Sequence, residues 1–245
     1  MRKHACVIGA SAGLGRALCH KLAAENYDLL LVASDARDLD AMARDLRIRH
    51  SGTVSVIVHD LSGDDPELLV KNILLQMSEP DLLACVAGYT SPHDHGPLAA
   101  DEAARVLNVN AVQILRVING CMPALERPEA RLLVISSVAC MRPRRRNILY
   151  GAAKAALEHY AMALQHYWYR QPGKVYLYRM GFMHTQMTYG QKLMLPGLSP
   201  EKAAQAIMKD IGYGRSGMHY LPGWWRIIAL VFRVLPWAVF RRLDI

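Results

Sequence analysis

Short apolar runs that alternate with longer helical patterns constrain the fold of this chain most strongly. The runs occupy residues 5–9, 29–33, 54–58, 82–87, 131–136 and 174–180. Helical patterns of about ten residues or more lie between them, at about 16–25, 36–47, 98–120 and 150–170. Continuous apolar strands that alternate with helices are typical of a parallel sheet covered on both faces. The sequence therefore predicts an α/β fold, with a single doubly wound parallel sheet and helices on both faces.

Composition and charge limit the classes of protein that the chain can represent. Apolar residues make up 52% of the 245 residues and charged residues 20%, which excludes a disordered chain. The formal net charge of +8 suits a phosphorylated substrate or an anionic lipid. Because no DNA- or RNA-binding motif accompanies the charge, nucleic acid is not a predicted partner. The five cysteines are scattered, and no signal peptide precedes the first strand, so we expect a cytoplasmic protein.

Three glycines, Gly9, Gly13 and Gly15, lie between the first predicted strand and the first predicted helix. Glycines in that position let the backbone approach a pyrophosphate at the positive end of the helix. The pattern predicts a dinucleotide site. A tight turn without a ligand is the alternative.

Tyr150 and Lys154 are four residues apart in a predicted helix, so their side chains share one face. A lysine ammonium beside a phenol favours the phenolate and lowers the tyrosine pKa from about 10 toward neutrality. A hydroxyl at the end of the preceding strand, from Ser136 or Ser137, could bind a carbonyl oxygen next to that phenol. The arrangement predicts acid/base chemistry on a ketone or an alcohol.

Together these motifs resemble the short-chain dehydrogenase/reductase family. The spacings G-x-x-x-G-x-G and Y-x-x-x-K both match, and Ser137 precedes Tyr150 by thirteen residues, as is common for the family's catalytic serine. The other matches follow in family order: Asp60-Leu61, Ala87-Gly88, Asn110 in N-V-N-A-V, and Gly181 to Thr185. The resemblance covers the chain to about residue 215. It implies a Rossmann-type dinucleotide-binding domain, which we place at residues 1–220.

The resemblance also implies a role for each matching residue. The implied catalytic residues are Ser137, Tyr150, Lys154 and Asn110. Tyr150 would donate the proton, Lys154 would lower its pKa and bind the nicotinamide ribose, and Asn110 would hold a relay water. The implied cofactor-binding residues are Gly9, Ser11, Gly13, Leu14, Gly15, Ser34, Asp60, Leu61, Ala87, Gly88, Tyr150, Lys154, Gly181 and Thr185. The chain departs from the family pattern at Ile8, Cys85, Val86 and Met180, which lie outside the Ser/Tyr/Lys set.

The implied cofactor is NADP or NAD. Ala33 stands where NAD users of the family often carry an aspartate, and Ser34 stands where NADP users often carry an arginine. Asp35 and Arg16 are also near. The missing acid favours NADP, whereas the missing arginine does not.

The loop after the fourth predicted strand contains His93, Asp94 and His95. Neighbouring loop residues rarely bind a metal without a further ligand elsewhere, and the sequence offers none, so no metal site is predicted. We expect a solvated loop at the rim of the substrate cleft.

Four arginines, Arg142, Arg144, Arg145 and Arg146, lie between the implied catalytic serine and tyrosine. This arginine loop, residues 142–146, is therefore expected at the mouth of the active site. Guanidinium groups there could bind a phosphate or diphosphate of the substrate through bidentate hydrogen bonds. A solvated loop and a subunit interface are the alternatives.

Residues 221–245 form a separate predicted segment, the tail, which is rich in tryptophan, arginine and aliphatic residues. Arg226, Arg233 and Pro236 interrupt it too often for a membrane span, which needs about 20 apolar residues. An amphipathic helix on the cytoplasmic face of an anionic membrane fits the pattern. Packing on the domain or against a second subunit is the alternative.

The tail and the arginine loop resemble one branch of the family, the polyprenylphosphoryl (decaprenylphosphoryl) 2-keto-pentose reductases. The leading hypothesis is therefore an NAD(P)H-dependent reductase of a keto group on a lipid-phosphate-linked sugar. A reductase of long-chain 3-oxoacyl or 3-keto lipids and a non-catalytic dinucleotide sensor at the membrane are the alternatives. Family members commonly associate through the helices that carry Asn110 and Tyr150, which implies a dimer or tetramer.

Overall fold

A parallel sheet forms the centre of the computed structural model, which describes residues 2–171, 174–188, 190 and 195–243. The strands are β1 (Lys3–Ile8), β2 (Tyr27–Ala33), β3 (Val54–Val58), β4 (Leu82–Cys85), β5 (Arg131–Ser137), β6 (Val175–Met180) and β7 (Gly217–Leu221). Across the described residues these seven strands are ordered β3-β2-β1-β4-β5-β6-β7. Every neighbouring pair is parallel.

Helices connect the strands and cover both faces of the sheet. They are α1 (Gly13–Ala24), α2 (Ala36–Arg49), α3 (Pro66–Gln76), α4 (Ala100–Leu107), α5 (Gln113–Leu125), α6 (Ile148–Tyr167), α7 (Pro200–Gly212), α8 (Trp225–Val234) and α9 (Trp237–Phe240). One core joins the sheet to α1, α2 and α7, and a second core joins the opposite face to α3, α5 and α6. The predicted doubly wound α/β fold is confirmed.

The first strand shows why the strands are apolar at every position. Ala5 and Val7 enter the first core, whereas Cys6 and Ile8 enter the second, and each is at most 1% exposed. Side chains alternate across a strand, so a strand that is buried on both faces needs a continuous apolar run. Cys6, in this apolar run, is a free, buried thiol.

The winding of the chain reverses at β1, which pairs with β2 on one side and with β4 on the other. The helices that follow β1 and β4 pack on opposite faces, so a crevice opens beyond the carboxyl ends of these strands. The glycine turn follows β1, Ala87-Gly88 follows β4, and Ser137 ends β5. The topology therefore brings the predicted cofactor and catalytic residues to one edge of the sheet.

Some elements differ from the expected pattern, and helices α3 and α7 were not predicted. The helix expected at about 98–120 is divided into α4 and α5 by a π-helical turn, Asn108–Val112. Strand β7 was not indicated by an apolar run, because each of its residues is only half-buried and its sequence, Gly217–Leu221, includes glycine and histidine.

Candidate active site

The predicted catalytic serine and tyrosine meet at the end of β5. The Tyr150 phenol lies close enough to the Ser137 hydroxyl to interact with it. Ser137 Oγ also accepts a hydrogen bond from the Ala139 N–H at 3.1 Å, which fixes its orientation. Ser136 points elsewhere, because it is 1% exposed and its hydroxyl lies 3.1 Å from Glu158 Oε2. The structure thus brings Tyr150 to Ser137 rather than to Ser136.

The surroundings of Tyr150 keep its phenol protonated. Burial raises the pKa of Tyr150, and the interaction with Ser137 and the positive charge of Arg144 only partly offset this effect. Lys154 Nζ lies 6.0 Å from the centre of the Tyr150 ring. Burial thus decides the direction of the Tyr150 pKa in this arrangement. The expected lowering of that pKa by Lys154 stays a prediction.

Lys154 is anchored to the ends of two strands. It is 2% exposed, and Nζ donates hydrogen bonds to Ala87 O at 3.3 Å and to Ile135 O at 3.1 Å. Burial lowers the pKa of Lys154 to about 8. The side chain is thus fixed at the carboxyl edge of β4 and β5, one helical turn after Tyr150.

A buried carboxylate supports the same helix. Glu158 Oε1 and Oε2 accept hydrogen bonds from Arg179 Nε at 3.1 and 2.9 Å, and Oε2 accepts one from Cys140 Sγ at 3.0 Å. Although burial opposes ionisation, these bonds lower the pKa of Glu158. Burial raises the pKa of Cys140 to about 11, so its thiol stays protonated. Sequence reasoning missed this group; the spacing of Glu158 four residues after Lys154 was the available signal.

Asn110 lies at the centre of the π-helical turn and is completely buried. Its Oδ1 accepts a hydrogen bond from the Tyr89 N–H at 3.1 Å, and Nδ2 donates to Tyr89 O at 2.6 Å and to Val106 O at 2.8 Å. The side chain therefore joins the widened helical turn to the loop after β4. π-Helical turns often occur at functional sites, and this one contains the residue predicted to hold a relay water.

The glycines of this turn let neighbouring backbone segments approach more closely than any larger residue would allow. Gly9 has a φ of +92°, and a Cβ there would lie 2.6 Å from Ala87 N. A Cβ on Gly15 would lie 1.9 Å from Gly9 O, and one on Gly13 would lie 3.3 Å from Thr185 Cγ2. Among the described residues, no side chain caps the start of α1. This glycine cradle (Gly9, Gly13 and Gly15) fits a pyrophosphate held by backbone N–H groups.

A cavity of about 620 Å³ adjoins the glycine cradle. It lies between the start of α1, the loop after β6 and the start of α7. Its lining includes Gly13, Arg16, Lys21, His184 and Thr185. The basic side chains suit a phosphate-bearing ligand.

The other residues predicted to bind the cofactor also follow the strands at this edge. Ser34, Asp60 and Gly88 are exposed, Leu14 and Leu61 are buried, and Ser11, Ala87 and Gly181 are partly buried. The Asp60 carboxylate accepts a hydrogen bond from the Ser62 N–H at 2.8 Å. Beside Ser34, the Asp35 carboxylate caps α2 by accepting a hydrogen bond from the Asp38 N–H at 2.9 Å.

The arginines of the loop face different partners. Arg142 donates hydrogen bonds to Phe232 O and to Leu235 O, the second at 2.5 Å, and its guanidinium lies 4.5 Å from the centre of the Phe240 ring. Arg142 is thus engaged by the tail, which corrects the expectation that all four arginines face the substrate.

The positive charge of Arg144 lowers the pKa of Tyr150, against the larger effect of burial. It is partly buried, and within the described part of the chain its buried Nε has no hydrogen-bond partner. Burial lowers the pKa of Arg144, although Tyr150 opposes the shift. Arg145 and Arg146 are exposed.

The tail docks beside the site through two aromatic residues. Trp225 is 5% exposed and packs edge-on against Phe182, with 5.9 Å between the ring centres, and Phe240 is 3% exposed. The outward face of α8 remains apolar: Ile227, Leu230, Val231 and Val234 are 52–71% exposed. In the described ranges, no helix is long and apolar enough to cross a membrane.

The loop after β4 is only partly solvated. His93 and His95 are exposed, as expected, but Asp94 is 2% exposed and accepts hydrogen bonds from the Leu149 and Tyr150 N–H groups, both at 2.9 Å. The expectation of a wholly solvated loop is therefore wrong at Asp94. Among the residues that the structure describes, no group of three or more His, Cys, Asp or Glu could hold a metal ion.

Comparison with known proteins identifies the family. The family model for short chain dehydrogenases matches residues 3–194, and the chain belongs to this family of oxidoreductases. A short-chain dehydrogenase from Sphingobium yanoikuyae, solved in complex with NADPH, has the same fold, with a TM-score of 0.81 and 20% identity over 96% of this chain and 97% of that one.

The proteins with similar sequences include one that is named as inactive and one that is named as a reductase. Inactive hydroxysteroid dehydrogenase-like protein 1 of Pongo abelii is 28% identical over 165 residues, which make up 66% of this chain. The match spans about half the length of that relative, 50%. Very-long-chain 3-oxoacyl-CoA reductase of Anas platyrhynchos is 25% identical over 95% of this chain and 75% of its own length.

Replacing Lys154 with Met should change how stability depends on pH. Folding lowers the pKa of Lys154 from 10.5 to about 8, so between these values the unfolded chain retains a proton that the folded chain has released. The contribution of Lys154 to the free energy of unfolding therefore rises with pH across this window, by up to about 3 kcal/mol. Denaturant titrations measure the free energy of unfolding of both proteins. The value for the unaltered chain minus the value for Lys154→Met should grow from pH 8 to pH 10.5.

The same replacement at exposed Lys71 controls for the loss of a lysine charge. A stability difference between the unaltered chain and Lys154→Met that stays constant across the window would contradict the buried, perturbed lysine.

Proposed function

We propose that this protein is an NAD(P)H-dependent reductase that converts a ketone into an alcohol. The observation that carries the proposal is the pairing of the Tyr150 phenol with the Ser137 hydroxyl, with buried Lys154 one helical turn further on. Two hydroxyl groups side by side can bind one carbonyl oxygen, and one of them can protonate it. The glycine cradle at the same edge of the sheet suits the dinucleotide.

The residues then have distinct tasks. The glycine cradle and Thr185 would hold the dinucleotide, which would supply the hydride when bound. Tyr150 donates its phenol proton to the carbonyl oxygen, and its raised pKa keeps it in the protonated form that a donor requires. Ser137 donates a hydrogen bond to the same oxygen as negative charge develops there. Lys154 would hold the nicotinamide ribose, and Asn110 would position a water that returns a proton to Tyr150.

NADP is the dinucleotide that we favour. An acid that could bind the ribose hydroxyls, Asp35, uses its carboxylate to cap α2. Arg16 lies at the same edge, with its guanidinium 3.7 Å from Asp38. A guanidinium at this point of a Rossmann-type fold can accommodate the 2′-phosphate of NADP.

The substrate that we propose carries a phosphate near its keto group, as a polyprenyl-phosphate-linked 2-keto sugar does. Arg144 supports this choice, because its guanidinium acts on Tyr150 while its buried Nε lacks a hydrogen-bond partner among the described residues. A partly buried cation with an unsatisfied donor is costly until an anion pairs with it. A phosphate bound there would lie next to the reacting carbonyl.

The same proposal places the tail on an anionic membrane surface. Ile227, Leu230, Val231 and Val234 follow the i, i+3, i+4, i+7 spacing of one helix face, and all are exposed. The tail arginines, Arg226, Arg233, Arg241 and Arg242, are exposed as well. An apolar face bordered by arginines suits insertion between anionic headgroups. Packing of this face against a second copy of the chain is the competing arrangement.

Two other functions have a specific observation in their favour. The similarity to very-long-chain 3-oxoacyl-CoA reductase of Anas platyrhynchos favours reduction of a long-chain 3-oxoacyl lipid. The similarity to inactive hydroxysteroid dehydrogenase-like protein 1 favours a protein without catalysis. A full Ser/Tyr/Lys/Asn set argues for an enzyme, since a sensor needs no proton donor.

Replacing Tyr150 with Phe should abolish ketone reduction while dinucleotide binding persists. The phenyl ring keeps the packing but has no proton to donate, so we expect kcat to fall by about 100-fold or more. Nicotinamide absorbance measures turnover and nucleotide fluorescence measures binding. Tyr160→Phe is the matched control, because Tyr160 lies on the same helix and its hydroxyl contacts Met122. Turnover that survives in Tyr150→Phe would rule out the assigned proton donor.

Replacing Arg144 with Ala should separate the candidate substrates. Loss of a charge-assisted hydrogen bond should raise KM for a polyprenyl-phosphate keto sugar by about 10- to 100-fold. KM for a 3-oxoacyl N-acetylcysteamine thioester, which has no phosphate, should stay nearly constant. Arg116→Ala, which removes an exposed arginine on α5, is the control. An equal rise in KM for both substrates would contradict a phosphate site at Arg144.

Replacing Ile227 with Glu should release the protein from anionic vesicles. Burial of an aliphatic side chain contributes about 1.5–3 kcal/mol, so the partition coefficient should fall at least about tenfold. Co-sedimentation with phosphatidylglycerol-containing vesicles, compared with pure phosphatidylcholine, measures this effect. Ile48→Glu is the matched control, because Ile48 is 85% exposed on α2. If Ile227→Glu instead changes only the oligomeric mass, the tail is a subunit interface.

A further inference from the structure

The N-terminus of α6 is capped by a residue that is distant in sequence. The helix begins at Ile148, after Asn147, whose backbone is left-handed (φ 58°) and whose side chain makes no capping bond in the described structure. The first four N–H groups of a helix have no partner within the helix. Here Asp94 binds all four. The Asp94 carbonyl oxygen accepts hydrogen bonds from the N–H groups of Asn147 at 2.6 Å and of Ile148 at 3.3 Å. The carboxylate accepts the other two, at Oδ1 from the Leu149 N–H and at Oδ2 from the Tyr150 N–H, both at 2.9 Å.

This geometry places a carboxylate where the helix is most positive. Asp94 is 2% exposed, so little water competes for these bonds. An anion at a helix N-terminus is stabilised by the helix dipole and by charge-assisted hydrogen bonds. Since the Tyr150 N–H is one of the four groups, the carboxylate directly holds the backbone that carries the phenol.

The loop that carries Asp94 also binds Asn110, another residue of the proposed site. Tyr89, in the same loop after β4, exchanges hydrogen bonds with the Asn110 side chain. The Tyr89 hydroxyl is anchored in turn by Glu102 Oε1 at 2.6 Å. The loop therefore connects the π-helical turn with the start of α6, and it is fixed at both ends.

We infer that Asp94 is a positioning residue for the reaction: its carboxylate fixes the first turn of α6 and thereby holds the Tyr150 phenol against Ser137. The effect of Asp94 on catalysis rests on the proposed function. The position of the phenol, however, is measurable without any substrate. A cap that only stabilised the fold would leave the properties of folded Tyr150 unchanged.

The test replaces Asp94 with Asn, which removes the charge and turns one acceptor into an N–H donor. We expect kcat to fall by about 10- to 100-fold, with KM for dinucleotide and ketone changed less than about threefold, because a misplaced proton donor slows chemistry more than binding. Tyr150 ionisation is followed as the absorbance difference between each protein and its Tyr150→Phe counterpart. Its midpoint should move toward that of a free phenol, since a frayed turn admits water to the ring.

Asp65→Asn is the matched control. Asp65 caps α3 by accepting a hydrogen bond from the Glu67 N–H at 3.0 Å, outside the site. This variant should lose stability without altering kcat or the Tyr150 titration. If Asp94→Asn keeps both kcat per folded molecule and the titration midpoint, the inference is overturned.

A second measurement keeps the inference testable if Asp94→Asn does not fold. In the unaltered chain, the amide protons of Leu149 and Tyr150 should exchange slowly with solvent, unlike those of an uncapped first turn. Rapid exchange at both positions would overturn the inference. If the unaltered protein reduces no ketone, the proposed function fails, but the Tyr150 titration still decides whether Asp94 positions the phenol.

Discussion

The contact between the first turn of α1 and the end of β1 determines where the other parts of the site lie. A Cβ on Gly15 would lie 1.9 Å from Gly9 O, so α1 can start this close to the strand only with glycine at that position. On the other side of β1, Ala87 at the end of β4 packs against Gly9. Because β5 pairs with β4, the register of the sheet, rather than a flexible loop, places Ser137 relative to the glycine cradle.

Helix α6 is tied to this sheet by buried charges. Lys154 donates to the carbonyl groups of Ala87 and Ile135, and Glu158, one turn further on, pairs with Arg179 of β6. Buried charges are tolerated when hydrogen bonds and counter-charges satisfy them, and removing one partner is costly. These bonds therefore fix the rotation and height of α6 over three neighbouring strands. That rigidity suits a helix whose first turn carries Tyr150, the proton donor that we propose.

The sheet, the glycine turn and the proximity of Ser137 to Tyr150 could be predicted, because each depends on local periodicity or on fixed short spacings. Asp94 and Arg142 could not, because their partners lie 55 and 90 residues away along the chain. Because exposed His93 and His95 flank Asp94, the sequence of the loop indicates a solvated segment and does not predict that the Asp94 carboxylate is buried. The spacing of Tyr150 and Lys154 predicted their proximity. The direction of the tyrosine pKa depends on burial, which only the whole fold decides.

The tail contacts both loops that border the proposed site. On one side, Arg142 of the arginine loop binds the carbonyl groups at the end of α8, which a helix leaves without partners. On the other side, Trp225 packs so closely on Gly181 that a Cβ there would lie 1.9 Å from Nε1. Helix α8 therefore contacts these loops near both of its ends, while its outward apolar face stays exposed. Such a surface would suit either a second copy of the chain or a membrane. In the second case, the amphiphilic substrate that we propose could keep its apolar chain in the membrane while its charged, keto-bearing headgroup enters beside Arg144.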